Sequence, residues 1–325
     1  MRATTADRET MSARARAPRT SHPGPLRCVA LWLAWAVAFV GWSPAGAGAQ
    51  EEALALRDAG RERAYLLHRP ASLSRSTPAA LVVMLHGGFG SARQAQRAYG
   101  WDALADREGF VVVYPDGVGR SWNAGGICCG PALRQEVDDV GFLDRLLRTV
   151  EVAQNIDARR VYLTGMSNGA AMAYRYGCQG AVALAAIGPV AGTLSMPCRP
   201  TRPVSVLAIH GLADEHVPYA GGSGTRGVTK GEWQSVPGTL AAYREAGGCQ
   251  EPVTRTDGVV QTTSALCPSG REVVLIAVTD AAHQWPGSVQ RTGALARLFE
   301  GDPASMALDA TRTLWEFFQH HSAPP

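Results

Sequence analysis

The sequence predicts an α/β protein: a doubly wound, mostly parallel sheet flanked by helices, in a single domain. Five short runs are apolar almost throughout and rich in β-branched residues, which is typical of strands buried on both faces of a parallel sheet. Segments with helical periodicity alternate with these runs, as in doubly wound folds. The chain shows no internal repeat and no Pro-, Ser- or Thr-rich linker that would divide it into two domains.

The predicted strands and helices alternate in order along the chain. The strands span 79–85, 110–114, 160–164, 204–209 and 273–278. The helices span about 92–107, 138–154, 168–178, 234–246 and 304–320. Functional side chains in such a sheet lie at the carboxyl ends of the strands, so motifs that carry chemistry are expected there.

The first 49 residues predict a secretory signal peptide, followed by a catalytic domain over 50–325. An arginine-dotted stretch precedes the apolar run 28–42, and Ala47 and Ala49 form a small-residue cleavage site. An uncleaved anchor helix is the alternative, but the apolar run is shorter than the ~20 residues that span a bilayer. We therefore expect an extracellular or periplasmic protein without a stable membrane anchor.

Composition and charge exclude disorder and a basic nucleic-acid-binding surface. Hydrophobic residues make up 46% of the chain and charged residues 18%, so a large core can form. The leader holds six arginines and two acidic residues; removing them from 31 basic and 28 acidic residues leaves 25 and 26. The remainder, with a formal charge of −1, offers no net attraction for nucleic acid or anionic lipid.

Six cysteines follow the leader, and an even count in an exported chain favours disulfides. Proximity in sequence favours Cys249–Cys267, and then Cys178–Cys198. Cys128 and Cys129 are adjacent, and their pairing stays open. Because no Cys-x-x-Cys spacing occurs, no metal site is expected.

The strongest chemical signal is Gly165-Met-Ser167-Asn-Gly169, which directly follows a predicted strand and opens a predicted helix. A G-x-S-x-G motif in this strand–turn–helix context is typical of a nucleophile elbow. Its glycines leave room for the tight turn, and the helix N-terminus favours negative charge near the serine. Ser167 is therefore the predicted nucleophile.

A base and an orienting acid should follow the serine in the order Ser, Asp or Glu, His. The later histidines are His210, His216, His283, His320 and His321. His283 lies in the loop after the strand 273–278 and is the predicted base. His320 and His321 lie in the tail of the chain. His210 lies at the end of the strand 204–209 and is expected to shape that turn, and His216 follows Asp214, the acid predicted below, too closely in sequence.

Asp214 follows the strand 204–209 and is the predicted acid that holds the tautomer of the histidine. Glu215 is its alternative, and Asp280 is a rival within the histidine's own loop. Asp138 and Asp139 precede the serine, which breaks the order, and they are interpreted as helix-start or structural carboxylates.

Acyl transfer also needs backbone donors for the oxyanion. The N–H of Asn168, directly after the nucleophile, is one predicted donor. The turn His86-Gly-Gly88 follows the strand 79–85, and the N–H of Gly88 is the other. Loss of one such donor typically costs ~3–4 kcal/mol of transition-state stabilisation.

Seven ordered motifs resemble the secreted esterases of the polyhydroxybutyrate depolymerase type, which include feruloyl and acetylxylan esterases. The motifs begin or centre at His86, Trp122, Val137, Ser167, Pro189, His210 and His283. The resemblance covers about 60–320 and implies an α/β-hydrolase fold, a triad of Ser167, Asp214 and His283, and no cofactor. It implies a secreted serine esterase that acts through an acyl-enzyme.

The expected substrate is a short hydroxyalkanoate oligomer or the polymer, with feruloyl or acetylxylan esters as the alternative. A non-catalytic, ligand-binding relative of the same fold is the alternative from another class. Trp122 and Trp285 are expected to flank the acyl pocket. Because no segment of lid length interrupts 215–272 and the chain stops soon after the last helix, we expect a shallow pocket and weak adsorption to crystalline polyester.

Overall fold

The computed structural model describes residues 50–200, 202–227, 231–288 and 304–324, and the predicted signal peptide lies outside these ranges. The strands are β1 Gln50–Asp58, β2 Arg61–Arg69, β3 Ala79–Leu85, β4 Phe110–Pro115, β5 Ile156–Met166, β6 Ala186–Val190, β7 Ser205–Gly211, β8 Val253–Asp257, β9 Val260–Cys267 and β10 Arg271–Val278. The helices are α1 Ala92–Ala98, α2 Trp101–Glu108, α3 Gly130–Arg134, α4 Asp139–Ala153, α5 Asn168–Gln179, α6 Val236–Gly247 and α7 Ala310–Phe318.

The strands form one sheet in the order β1-β2-β4-β3-β5-β6-β7-β10-β9-β8. The six central strands, in the order β4-β3-β5-β6-β7-β10, run parallel to one another. An antiparallel pair extends the sheet at each edge: β1 and β2 at one, β9 and β8 at the other. The prediction of a mostly parallel, doubly wound sheet is confirmed.

Helices cover both faces of the sheet because successive side chains of the buried strands point to opposite faces. Leu81 and Val83 of β3 pack in one core with α4, α5 and α6. Val82 and Met84 pack in a second core with α1, α2 and α7. Every residue of β3 is buried, which explains its unbroken apolar sequence.

The helix predicted across 92–107 is two helices in the structure. The chain leaves α1 at Tyr99 and passes through Gly100, whose φ of +73° lies in the left-handed region, before α2 begins. Glycine adopts this conformation without steric cost, so the break occurs there. The last helix is also shorter than predicted and covers only Ala310–Phe318 of the range 304–320.

Three disulfides lie in the described residues. Cys178–Cys198 and Cys249–Cys267 are paired as predicted, and Cys128 is bonded to its neighbour Cys129. In the same ranges, no helix combines the length and apolar character needed to cross a membrane.

Candidate active site

Ser167 occupies a strained turn between β5 and α5. Its φ is +56° and its ψ is −116°, which is a rare conformation for a residue with a side chain. The flanking glycines make this turn possible: a Cβ at Gly165 would lie 2.5 Å from the Gly169 carbonyl carbon, and a Cβ at Gly169 would lie 2.5 Å from the Leu85 oxygen. The sequence therefore allows the elbow only with glycine at both positions.

Strand register brings the loops of the site together. Leu85 of β3 pairs with Gly165 of β5, so the turn that starts at His86 lies beside the elbow. At the carboxyl ends of β10 and β7, Val278 pairs with Gly211. The loops that carry the predicted acid and base therefore leave the sheet side by side.

Ser167, His283 and Asp214 form one hydrogen-bonded chain. The Ser167 Oγ lies 2.8 Å from the His283 Nε2, and the His283 Nδ1 lies 2.8 Å from the Asp214 Oδ2. The structure thus brings together the three residues that the sequence singled out, although they span more than 110 positions of the chain. Both His283 and Asp214 are buried.

The Asp214 carboxylate is held by donors on both oxygens. Its Oδ1 accepts hydrogen bonds of 2.8 Å from the backbone N–H groups of His216 and Val217. Burial acts to raise the pKa of Asp214, but the His283 imidazole, His210 and the Val217 N–H outweigh it and leave the pKa below its ordinary value. The carboxylate is therefore charged throughout the neutral range.

The other sequence candidates lie in different environments. The His210 Nε2 donates to the Val217 carbonyl at 2.8 Å, and burial lowers the pKa of this ring, with partial compensation from Asp214. The His216 ring stacks on His283, with ring centroids 4.7 Å apart. His320 and His321 contact backbone carbonyls at the end of α7, and Glu215 and Asp280 are exposed.

Two backbone N–H groups are available as oxyanion donors. Asn168 is the first residue of α5, so its N–H has no acceptor within the helix. The neighbouring turn uses its other donors: Phe89 N–H bonds to Arg120 O at 2.9 Å, and Gly90 N–H bonds to Gly87 O at 3.0 Å. The Gly88 N–H makes no hydrogen bond to any described residue, and a Cβ on Gly88 would lie 3.8 Å from the Asn168 Cβ.

The His86 side chain holds the turn 86–90 in place through two hydrogen bonds. Its Nδ1 lies 2.7 Å from the Gly87 carbonyl oxygen, and its Nε2 accepts the Gly117 N–H at 3.0 Å. These contacts define a neutral ring with the proton on Nδ1. Burial lowers the pKa of His86, which is consistent with that neutral form.

The segment 122–128, which contains the motif at Trp122, supports the elbow through hydrogen bonds to Asn168. The side-chain oxygen of Asn168 accepts the Trp122 N–H at 2.7 Å. Its side-chain NH₂ group donates to the Trp122 carbonyl at 2.9 Å and to the Cys128 sulfur at 3.3 Å. Asp139 accepts the Asn123 N–H and pairs with the buried Arg63, each at 2.7 Å. Asp139 is thus structural, as interpreted from the sequence.

Trp122 and Trp285 do not flank the cavity, which corrects their expected position. Trp122 is fully buried and donates its indole N–H to the His86 carbonyl at 2.9 Å. Trp285 is buried against Tyr99 and donates to the Thr311 hydroxyl at 3.0 Å. Both indoles anchor the loops of the site because their large apolar surfaces pack into the core.

A cavity of about 260 Å³ opens beside the serine and the histidine. It is smaller than the ~300–1,000 Å³ of drug-sized ligand sites, so it fits a short acyl or alcohol group. The lining residues to which the sequence assigned no role in the site include Phe89, Ser91, Arg93, Gln94, Arg97, Tyr99 and Arg120. Within the described ranges, no cluster of three or more His, Cys, Asp or Glu side chains could hold a metal ion.

Comparison with known proteins agrees with this geometry. Residues 63–196 match the family described as Esterase PHB depolymerase. NocK from Nocardia uniformis subsp. tsuyamanensis, named as an esterase, is 34% identical over 255 residues, which cover 70% of this chain and 72% of that protein. Feruloyl esterase B from Piromyces equi is 28% identical over 235 residues, covering 68% of this chain and 42% of that longer protein.

A solved structure described as a thermostable esterase superposes with a TM-score of 0.55 at 16% identity, covering 84% of this chain and 63% of that one. This likeness confirms the α/β-hydrolase fold. The extent of the sequence match to NocK, together with the family match, decides the classification. The chain belongs to the esterase family of the polyhydroxybutyrate depolymerase type.

Proposed function

We propose that this protein is a serine esterase in which Ser167 forms an acyl-enzyme, His283 transfers protons and Asp214 orients the histidine. The observation that carries the proposal is the continuous chain of two 2.8 Å contacts from the serine to the carboxylate. A non-catalytic relative would have no requirement for the strained serine backbone, which costs stability.

The atoms are arranged for two successive acyl transfers. The Ser167 hydroxyl attacks the ester carbonyl and passes its proton to the His283 Nε2, while the Nδ1–H stays bonded to Asp214. The N–H groups of Gly88 and Asn168 bind the oxyanion. Collapse of this intermediate expels the alcohol, which takes the proton from His283. Water then attacks the acyl-enzyme by the same route and releases the acid.

We infer that the substrates are short esters, with hydroxyalkanoate oligomers as the leading class. The small cavity beside Ser167 supports a short acyl group. Each methylene that a pocket rejects costs about 1–3 kcal/mol, so activity on 4-nitrophenyl esters should fall steeply beyond about six carbons. Feruloyl or acetylxylan esters are the second candidate class, favoured by the similarity to the Piromyces equi enzyme.

We also propose that the protein is exported. The three disulfides support this, because such bonds persist in oxidising compartments. Cleavage near Ala49, predicted from the sequence, would release the domain that begins at residue 50. Mass spectrometry of the mature N-terminus tests this directly.

A substrate panel tests the proposed activity. Wild-type protein and Ser167→Ala are compared on 4-nitrophenyl butyrate and palmitate, hydroxybutyrate oligomers, methyl ferulate and acetylated xylan. We expect the wild type to hydrolyse butyrate and hydroxybutyrate esters, and Ser167→Ala to be inactive with an unchanged circular dichroism spectrum. Palmitate preferred over butyrate would contradict the short-ester assignment, and an active Ser167→Ala would contradict the nucleophile.

A further inference from the structure

The cavity beside the serine has an unbalanced charge. Its thirteen lining residues include Arg93, Arg97 and Arg120 and no aspartate or glutamate. The remaining polar contributions come from serine, glutamine, tyrosine and histidine side chains and from the glycine backbone. Cleavage of the ester bond itself requires none of these charges, so the proposed catalytic residues give the arginines no role.

Only one of the three arginines has a carboxylate partner among the described residues. Arg93 pairs with Glu51 and also donates to Gln96. Arg97 is exposed. Neither the Arg97 guanidinium nor the Arg120 guanidinium has a described carboxylate within ion-pair distance. Two guanidinium groups at the cavity therefore have no carboxylate in direct contact among the described residues.

The two unpaired arginines approach the cavity from different elements. Arg97 lies one helical turn after Arg93 on α1, so both project from one face of that helix. Arg120 follows β4, and its Nε donates to the Gly90 carbonyl at 3.1 Å while its own carbonyl accepts the Phe89 N–H. Its guanidinium is thus fixed at the turn that also presents the Gly88 N–H.

We propose that the enzyme selects short esters that carry a free carboxylate, and that Arg97 and Arg120 bind that carboxylate beside the reacting ester. This inference rests on the proposed esterase function. Arginine suits the task because its planar, permanently charged fork matches a carboxylate with two hydrogen bonds. The carboxylate is either on the acyl portion, as in a dicarboxylic hemiester, or on the alcohol portion, as in a linear hydroxyacid oligomer.

Two matched pairs of esters distinguish these sources. The first pair is 4-nitrophenyl hemiglutarate and the corresponding glutaramate, in which the distal carboxylate is replaced by a primary amide. The second pair is the linear 3-hydroxybutyrate dimer and its terminal amide. We expect kcat/KM for the anionic member to exceed that for the neutral member in one of the pairs, about fivefold for one partly exposed charge pair. The preference should shrink as salt is added, because exposed charges are screened.

Variants then assign the preference to residues. In Arg97→Gln, the ratio of kcat/KM values, anionic over neutral, should fall about fivefold in the pair that shows the preference. Arg120→Gln should lower the same ratio. Arg107→Gln is the matched control: it removes the same charge from an exposed position on α2, outside the cavity lining, and the ratio should not change.

Failure of this inference is distinct from failure of the proposed function. Hydrolysis of the neutral esters by the wild type with equal rates for both members of both pairs would overturn the carboxylate selection and leave the esterase intact. A fall in the ratio for Arg107→Gln as large as that for Arg97→Gln would also overturn it, because net charge would then explain the effect. Absence of hydrolysis of every ester would refute the proposed function.

Discussion

Replacement of Asp214 by asparagine tests how the buried carboxylate acts, because the structure fixes the orientation of the new amide. The Asp214 Oδ1 accepts two backbone N–H groups, so the asparagine must place its carbonyl oxygen there. Its NH₂ group then faces the His283 Nδ1, where Oδ2 now accepts at 2.8 Å. To avoid two opposed donors, His283 moves its proton to Nε2 and can no longer accept the proton of Ser167.

The expected loss in kcat for Asp214→Asn is on the order of 10⁴-fold, as for other triads in which the tautomer is reversed. At ~1.4 kcal/mol for each factor of ten, this corresponds to about 5 kcal/mol of transition-state stabilisation. The fold should persist, because the backbone contacts of Oδ1 are retained. Steady-state hydrolysis of 4-nitrophenyl butyrate and a thermal melt measure the two effects separately.

Asp280→Asn is the matched control for this experiment. Asp280 lies in the loop of His283, but it is exposed and makes no hydrogen bond to that ring in the described structure. Its replacement should leave kcat within about twofold, the range of a surface change of ~0.5 kcal/mol. An Asp214→Asn enzyme within tenfold of the wild type, or an equal loss in Asp280→Asn, would refute the orienting role of Asp214.

Two further predictions concern stability. Asp139→Ala removes the 2.7 Å partner of the buried Arg63, whose other carboxylate contact, Asp58, lies 3.9 Å away. Unfolding by urea should therefore show a loss of about 3–5 kcal/mol. Asp138→Ala removes a helix cap and should cost about 1 kcal/mol, and equal effects of the two substitutions would contradict the buried pair. Burial lowers the pKa of His210, so its neutral form contributes stability above the unfolded pKa of about 6.5, which is lost as the pH falls further. The urea midpoint of the wild type should drop as the pH falls from 7.5 to 5.5. If the midpoint of His210→Gln falls by the same amount over this range, His210 does not have this role.

Five of the six central strands could be predicted from the sequence because their burial on both faces requires unbroken apolar runs. The edge strands could not. β8 is exposed throughout, and β9 carries a largely polar, half-buried sequence, so neither has the apolar signal of a core strand. β6 was missed for another reason: Gly188 and Pro189 interrupt a five-residue strand, and both residue types are uncommon in strand interiors.

The three residues of the proposed triad could be predicted from the sequence because each lies at, or a few residues after, the carboxyl end of a strand that could be located. The positions of Trp122 and Trp285 could not be derived in the same way. A tryptophan beside a motif has the same sequence signature at a pocket mouth as in the core, and only tertiary packing decides between them. The cavity arginines escaped detection because Arg93 and Arg97 look like the ordinary solvated face of a helix.

Covalent trapping tests the central claim most directly. The protein is incubated with a fluorophosphonate, and the adduct is counted by intact mass and located by peptide mapping. We predict one adduct per chain, on Ser167, because its hydroxyl lies 2.8 Å from the His283 Nε2. Ser167→Ala should remain unlabelled, and His283→Ala should label at a greatly reduced rate. Labelling at another serine, or undiminished labelling of Ser167→Ala, would contradict the assignment of the nucleophile.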